Sequence, residues 1–325
     1  MKISATVLAL ALGFIALHPC TAQAQAYPVP GKPIKIVVPT APAGGNDSMA
    51  RIVAQKLGER LKTAVIVENK AGANGAIGSE SVAKAPPDGY TILLGYIATH
   101  GINPGLSKLS YDPVKDFLPI VQIAEAQEIL VVNPSVPARS VKELIALAKS
   151  KPGELTYASA GNGTAPHISG ELFKQLAGID MLHVPYKGSA PAVTDTLAGH
   201  AQVMFPSLVA ATQHVKSGKL RGLAVTGKKR SPLFPSLPTV AEAGVAGFEI
   251  TQWYGFFAPA KTPRAIVERL GAEITAIMND PDTVKKFADQ GAEVVVRSPD
   301  EFGRFVQSEL GKWSKFIQTA KITAD

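Results

Sequence analysis

Two glycine-rich turns hold the residues whose types and spacing suit a chemical task. The first is Pro42-Ala43-Gly44-Gly45-Asn46-Asp47 and the second is Ser159-Ala160-Gly161-Asn162-Gly163-Thr164. Each follows a short strand-like run and opens an amphipathic stretch of helical period. Glycine lets a backbone come close to a ligand, and the first-turn amides of a helix lack internal partners and carry the positive end of its dipole. Such turns suit carboxylates. Taken singly, each also reads as an ordinary tight turn, with Asp47 or Thr164 as a helix cap. Facing each other across a cleft, the pair would hold both ends of a dicarboxylate without any catalysis.

Other chemistries fit the sequence less well. Gly222 to Lys229 nearly matches a phosphate-cradling loop, but its last position is Lys where a Ser or Thr hydroxyl is needed, and its apolar middle reads as a strand. Gly161-Asn162-Gly163 opens like a dinucleotide fingerprint, yet Pro166 stands at the third glycine position. No Gly-x-Ser-x-Gly elbow occurs. His100, His167, His183, His200 and His214 are far apart in sequence and Cys20 is the single cysteine, so no local metal motif is visible and no cofactor is expected. The rival from another class, an exported enzyme built on His100, His167 or Ser159, requires turnover.

The elements that must position the turns follow an α/β pattern. The chain has 325 residues, 46% hydrophobic and 18% charged, enough for a sizeable core and two domains. Its net charge of +7 is spread over scattered basic residues, the longest run being Lys228-Lys229-Arg230, which excludes a nucleic-acid stripe. Lys2, the apolar stretch Ile3 to Leu17 and the small residues around Ala22 to Ala26 read as a secretory signal, cut after Ala26, that takes Cys20 with it. The periplasm is the expected destination.

Beyond it, strands are expected at Ile34 to Val38, Ala64 to Val67, Thr91 to Leu94, Ile129 to Val132, Thr156 to Ser159, Met181 to Val184, Gln202 to Phe205 and Leu223 to Thr226. Helices are expected at Asp47 to Leu61, Gly75 to Ala85, Ser140 to Ser150, His167 to Leu176, Pro263 to Asn279, Asp282 to Gln290 and Pro299 to Ala320. The long extended segment Phe248 to Pro259 reads as a strand returning the chain to the first lobe, with Pro119 to Ala124 as its outward partner. The expected division is 1–26 signal peptide, 27–125 plus 252–325 one lobe, and 126–251 the other.

Several motifs make a resemblance specific. They are Ile36-Val37-Val38-Pro39, the Gly-Gly-x-Asp turn with Ala50-Arg51, Val67-Glu68-Asn69-Lys70 with Gly72 to Gly78, and Pro87-Asp88-Gly89-Tyr90. Asn133-Pro134-Ser135, Tyr157-Ala158-Ser159 through His167, His183 to Gly188 and Pro238 to Gly244 continue the series. Over essentially the whole chain from Tyr27, the sequence resembles the exported solute-binding receptors of the tripartite tricarboxylate transporter system, the Bug or TctC-like family.

The resemblance implies a two-lobed flytrap of mixed sheets flanked by helices, a type II-like periplasmic binding protein, that closes on a small carboxylate without catalysis. It implies integral-membrane transporter subunits as partners and a monomer in solution. A sensory receptor for a signalling partner shares the same features. Carried over, the ligand loops are Ala43, Gly44, Gly45, Asn46 and Asp47, and Ser159, Ala160, Gly161, Asn162, Gly163 and Thr164 with His167. The loop carrying Tyr96, Thr99 and His100 borders the cleft; Tyr96 and His100 are bulky for that place and imply a flat or longer, even aromatic, dicarboxylate body between them. Pro206-Ser207 stands where relatives carry an acidic or amide residue, which argues against an amino acid as ligand. Arg51, Glu68 and Lys70 are expected to be scaffold.

Overall fold

The computed structural model describes residues 27–323; the expected signal segment, 1–26, lies outside the described residues. In chain order, β1 (Ile34–Val38), α1 (Gly45–Leu61), β2 (Val65–Asn69), a 3-10 turn (Ala73–Gly75), α2 (Ala76–Ala83) and β3 (Thr91–Tyr96) come first. A π-helical turn (Ala98–Ile102) leads into α3 (Asn103–Leu106), followed by β4 (Phe117–Ala126), β5 (Ile129–Val132), α4 (Val141–Ser150), β6 (Thr156–Ser159) and α5 (Ala165–Ala177). Then come β7 (Leu182–Pro185), α6 (Ser189–Ala198), β8 (Val203–Met204), α7 (Leu208–Lys216), β9 (Arg221–Val225) and β10 (Gln252–Pro259). The chain closes with α8 (Arg264–Met278), α9 (Pro281–Asp289), β11 (Ala292–Arg297) and α10 (Pro299–Ala320).

The strands form two mixed sheets. One has the order β11-β4-β10-β3-β1-β2 and the other β7-β6-β8-β5-β9. In the first, β2, β1 and β3 are parallel, and β10 runs antiparallel between β3 and β4. In the second, β7, β6 and β8 are parallel, while β5 is antiparallel to β8 and β9. Parallel neighbours require crossover helices, and these cover the faces. The strand run of β1 is continuously apolar but for Lys35, as burial on both faces demands, and Ile34, Ile36, Val37 and Val38 are wholly buried.

The extended return segment is β10, and it does pair with the segment holding Pro119 to Ala124, from Gln252 opposite Ala126 to Pro259 opposite Phe117. The Ser140 hydroxyl caps α4 by accepting from the Glu143 amide. Trp253, Phe256 and Phe257 of β10 and Phe302 and Trp313 of α10 build the aromatic centre of the first half. Besides the short turns and α3 between β2 and β4, three longer elements went unread in the sequence. Pro191 and the β-branched Val193, Thr194 and Thr196 mask α6, α7 hides behind the short β8, and β11 is a plain Val294 to Val296 run after Gly291.

Candidate functional site

The first turn leaves β1 and enters α1 two residues earlier than the sequence predicts. The N-cap is Gly44, with no side-chain cap, so Asp47 lies inside the first helical turn and is not the cap. Its carboxylate reaches back instead. Oδ2 accepts the Ala43 amide at 2.9 Å and Arg51 Nε at 3.0 Å, which holds Ala43 in the left-handed region at φ 65°. Arg51 donates onward to Asn69 Oδ1, and Asn69 Nδ2 donates to the Thr40 carbonyl. Burial alone would raise the Asp47 pKa, but the bonds from Arg51 and the Ala43 amide hold it below the ordinary carboxylate range. Arg51, Glu68 and Lys70 are thus engaged in the scaffold: Glu68 pairs with Lys35 at 2.7 Å and with Lys70 at 3.4 Å.

Bonding at this turn is incomplete. Thr40 Oγ1, Asn46 Nδ2 and Asp47 Oδ1 are buried without a partner among the described residues. The Gly45, Asn46 and Asp47 amides begin α1 and have no carbonyl four residues back within it. An unmet buried donor or acceptor costs about 1–3 kcal/mol, and at this uncapped helix end water or a ligand atom can meet it.

The second turn is saturated by comparison. Ser159 Oγ accepts the Gly161 amide at 3.1 Å and lies 2.7 Å from His183 Nε2. The Thr164 hydroxyl, at the N-cap of α5, donates to the Gly161 carbonyl at 2.6 Å instead of capping the helix. The Gly163 amide donates to His167 Nδ1 at 3.0 Å, and the His167 ring stacks on His183 with centroids 4.1 Å apart. Ala160 accepts the Gly188 amide, and Asn162 is half-buried beside it. Pro166 removes one donor from the first turn of α5.

The third loop differs from expectation. His100 has no exposed surface; its ring stacks on Phe257 at 4.0 Å and meets Phe117 edge-on. Contact with a ligand body is therefore not what this arrangement provides. The physical reason is the π-helical turn, which swings residue 100 inward over β10, where Gly95 leaves room for it. Thr99 Oγ1 lies 2.8 Å from His100 Nδ1, and burial pushes the imidazole pKa down to about 3, so the ring is neutral. Tyr96 is also buried, and its hydroxyl donates to the Asn74 carbonyl at 3.2 Å. Pro206 and Ser207 sit at the start of α7: the Pro206 carbonyl accepts the Ile129 amide and Ser207 caps the helix.

The loops at the carboxyl ends of the two parallel strand sets come together through residues the sequence reading did not single out. Asn74, in the turn after β2, donates to the Gly163 carbonyl at 2.9 Å. Leu106 of α3 packs so close that a Cβ on Gly163 would lie 2.5 Å from its Cδ1. The available signal was the turn Gly72-Ala73-Asn74-Gly75, glycine-flanked and placed like the other two. Crevices at the carboxyl ends of parallel strands are where open α/β sheets bind ligands.

The sequence pattern described as "Tripartite tricarboxylate transporter family receptor" matches residues 49–322. Among solved structures, the chain is similar to Rpa4515 of R. palustris with adipate, at 37% identity and TM-score 0.82, over 90% of this chain and 99% of that one. It is similar to the periplasmic binding protein BugD at 34% identity and TM-score 0.80, over 91% and 100%. It is similar to MatC from Rhodopseudomonas palustris with bound malate at 31% identity and TM-score 0.79, over 89% and 100%. Matched along most of its length, the chain belongs to the TctC family of tripartite tricarboxylate transporter receptors, two-lobed periplasmic binding proteins that bind solutes and are not enzymes.

Proposed function

We propose that this receptor captures a small dicarboxylate in the crevice between the two sheets and delivers it to integral-membrane transporter subunits. One carboxylate rests on the amides of Gly44 to Asp47 with Asn46 Nδ2 and Thr40 Oγ1, and the other on the turn Ser159 to Thr164. The observation that carries this is the set of buried, unpartnered atoms of Thr40 and Asn46 at the uncapped start of α1. The adipate and malate bound to two structural relatives support the ligand class. Asp47 is negative, but Arg51 neutralises it locally, so a second anion is not repelled.

The lobes are 27–125 with 252–325, and 126–251; the mature protein starts after Ala26, works as a monomer in the periplasm and needs no cofactor. Calorimetric titration with aliphatic and aromatic mono-, di- and tricarboxylates tests the proposal. Micromolar or tighter binding of a dicarboxylate is expected; silence across the panel from folded protein overturns it.

A further inference from the structure

We infer that Asn74 is a latch between the two halves, a positioning residue whose hydrogen bond to Gly163 sets how readily the crevice opens. The inference rests on the dicarboxylate-crevice reading for its meaning, but not for its geometry.

Four consecutive residues at this turn have positive φ: Gly72 at 129°, Ala73 at 46°, Asn74 at 49° and Gly75 at 93°. Two of them are not glycine, a conformation that persists only where the surroundings over-determine it. Those surroundings are specific. The Asn74 carbonyl accepts the Tyr96 hydroxyl at 3.2 Å and Asn103 Nδ2 at 2.9 Å. In return, Asn74 Nδ2 donates to Asn103 Oδ1 at 2.9 Å. A Cβ on Gly75 would meet Thr99 Cγ2 at 2.7 Å, so the backbone is pinned from below as well.

This reciprocal amide pair consumes one Nδ2 proton of Asn74 and aims the other. That second proton goes to the Gly163 carbonyl at 2.9 Å, within the second turn, beyond the end of β6. On its other side, the Gly163 peptide is held by its amide donating to His167 Nδ1. Asn103 and Leu106 lie one helical turn apart on α3, so the element that aims Asn74 also supplies the apolar contact to Gly163. Two other bonds between the halves, Gln252 Nε2 to Glu128 Oε1 and Lys312 Nζ to the Glu249 carbonyl, involve residues at or just before the crossing strand β10, where opening moves them little. The Asn74 bond lies at the carboxyl-end loops, where opening must break it.

The test uses Asn74→Gly, which keeps the left-handed backbone and deletes the amide, and Asn74→Asp, which keeps the shape and turns an acceptor toward the Gly163 carbonyl. Two readouts are taken. Small-angle scattering of ligand-free protein should show a larger radius of gyration for both variants than for the parent. Adipate should dissociate about tenfold faster with its association rate within twofold, a loss of about 1.4 kcal/mol. Melting temperatures check that both variants fold. Unchanged scattering together with unchanged adipate dissociation in both variants overturns the latch. If adipate and its homologues fail to bind the parent, the crevice reading fails while the scattering comparison still decides the latch.

Discussion

The two glycine-rich turns occupy equivalent places and are finished differently. In the first, the buried carboxylate of Asp47 folds the turn from inside, and Thr40 and Asn46 keep unpaired polar atoms. In the second, Ser159, Thr164 and His167 spend their side chains on the turn itself. On the proposed dicarboxylate reading, the difference separates two tasks: side-chain donors at the first turn that would choose a ligand's chemistry, and a rigid second turn that would define its length.

The largest effect should follow from Asp47→Ala. The left-handed Ala43 would lose its anchor and Arg51 its partner, and bonds to a charged group contribute about 1.5–3 kcal/mol. Dicarboxylate affinity measured by titration should fall about thirtyfold, and the urea midpoint should drop with it. An unchanged affinity would mean that the first turn is not the selective one. Gly163→Ala should cost about tenfold, because φ is 72° and the added methyl drives into Leu106; combining it with Leu106→Ala should recover part of the loss if the wall acts through shape.

The supports of the two turns also titrate in opposite directions. Asp47 has a lowered pKa, so its contribution is present above the unfolded carboxyl value and is lost as pH falls through the folded one, below about pH 4. Glu128, which accepts the Ser169 hydroxyl of α5, is pushed up to about 8 by burial. There the folded state holds the extra proton, so stability declines as pH rises from about 4 toward 8. Glu128→Gln should match the parent near pH 4.5 and exceed it by more than about 1 kcal/mol at pH 8 in chemical unfolding. Parallel profiles would show that this carboxyl ionises freely. Last and smallest, Lys70→Ala should leave affinity within about threefold, since Lys70 only shares Glu68 with Lys35.

The fold was legible where one local signal dominated. The apolar run 34–38, the Ser140 cap and Pro299 opening the last helix all sit where periodicity and capping put them. The glycine-rich turns were legible as turns but not as atoms. Asp47 resembles a cap until the chain folds, because only the backbone path reveals that Gly44 takes that role and that the carboxylate turns back to Ala43. His100 looked available because a π-helical turn leaves no sequence signature, and one added residue per turn swings a side chain into the core. Asn74 lay within the quoted Gly72 to Gly78 motif, but its bond was not readable there because its partner Gly163 is 89 residues away, in the loop after β6.

The position of β10 has a consequence for how the chain is made. It lies between β3 and β4, yet it is residues 252–259, so the first sheet has a gap at its centre until four-fifths of the chain has been synthesised. The second sheet, by contrast, is contiguous from Ile129 to Val225 and can close on its own. Contacts of such long sequence separation form late. In a nascent chain the second sheet therefore has all its strands before the first does, and the first sheet is completed last, around a lobe already able to form.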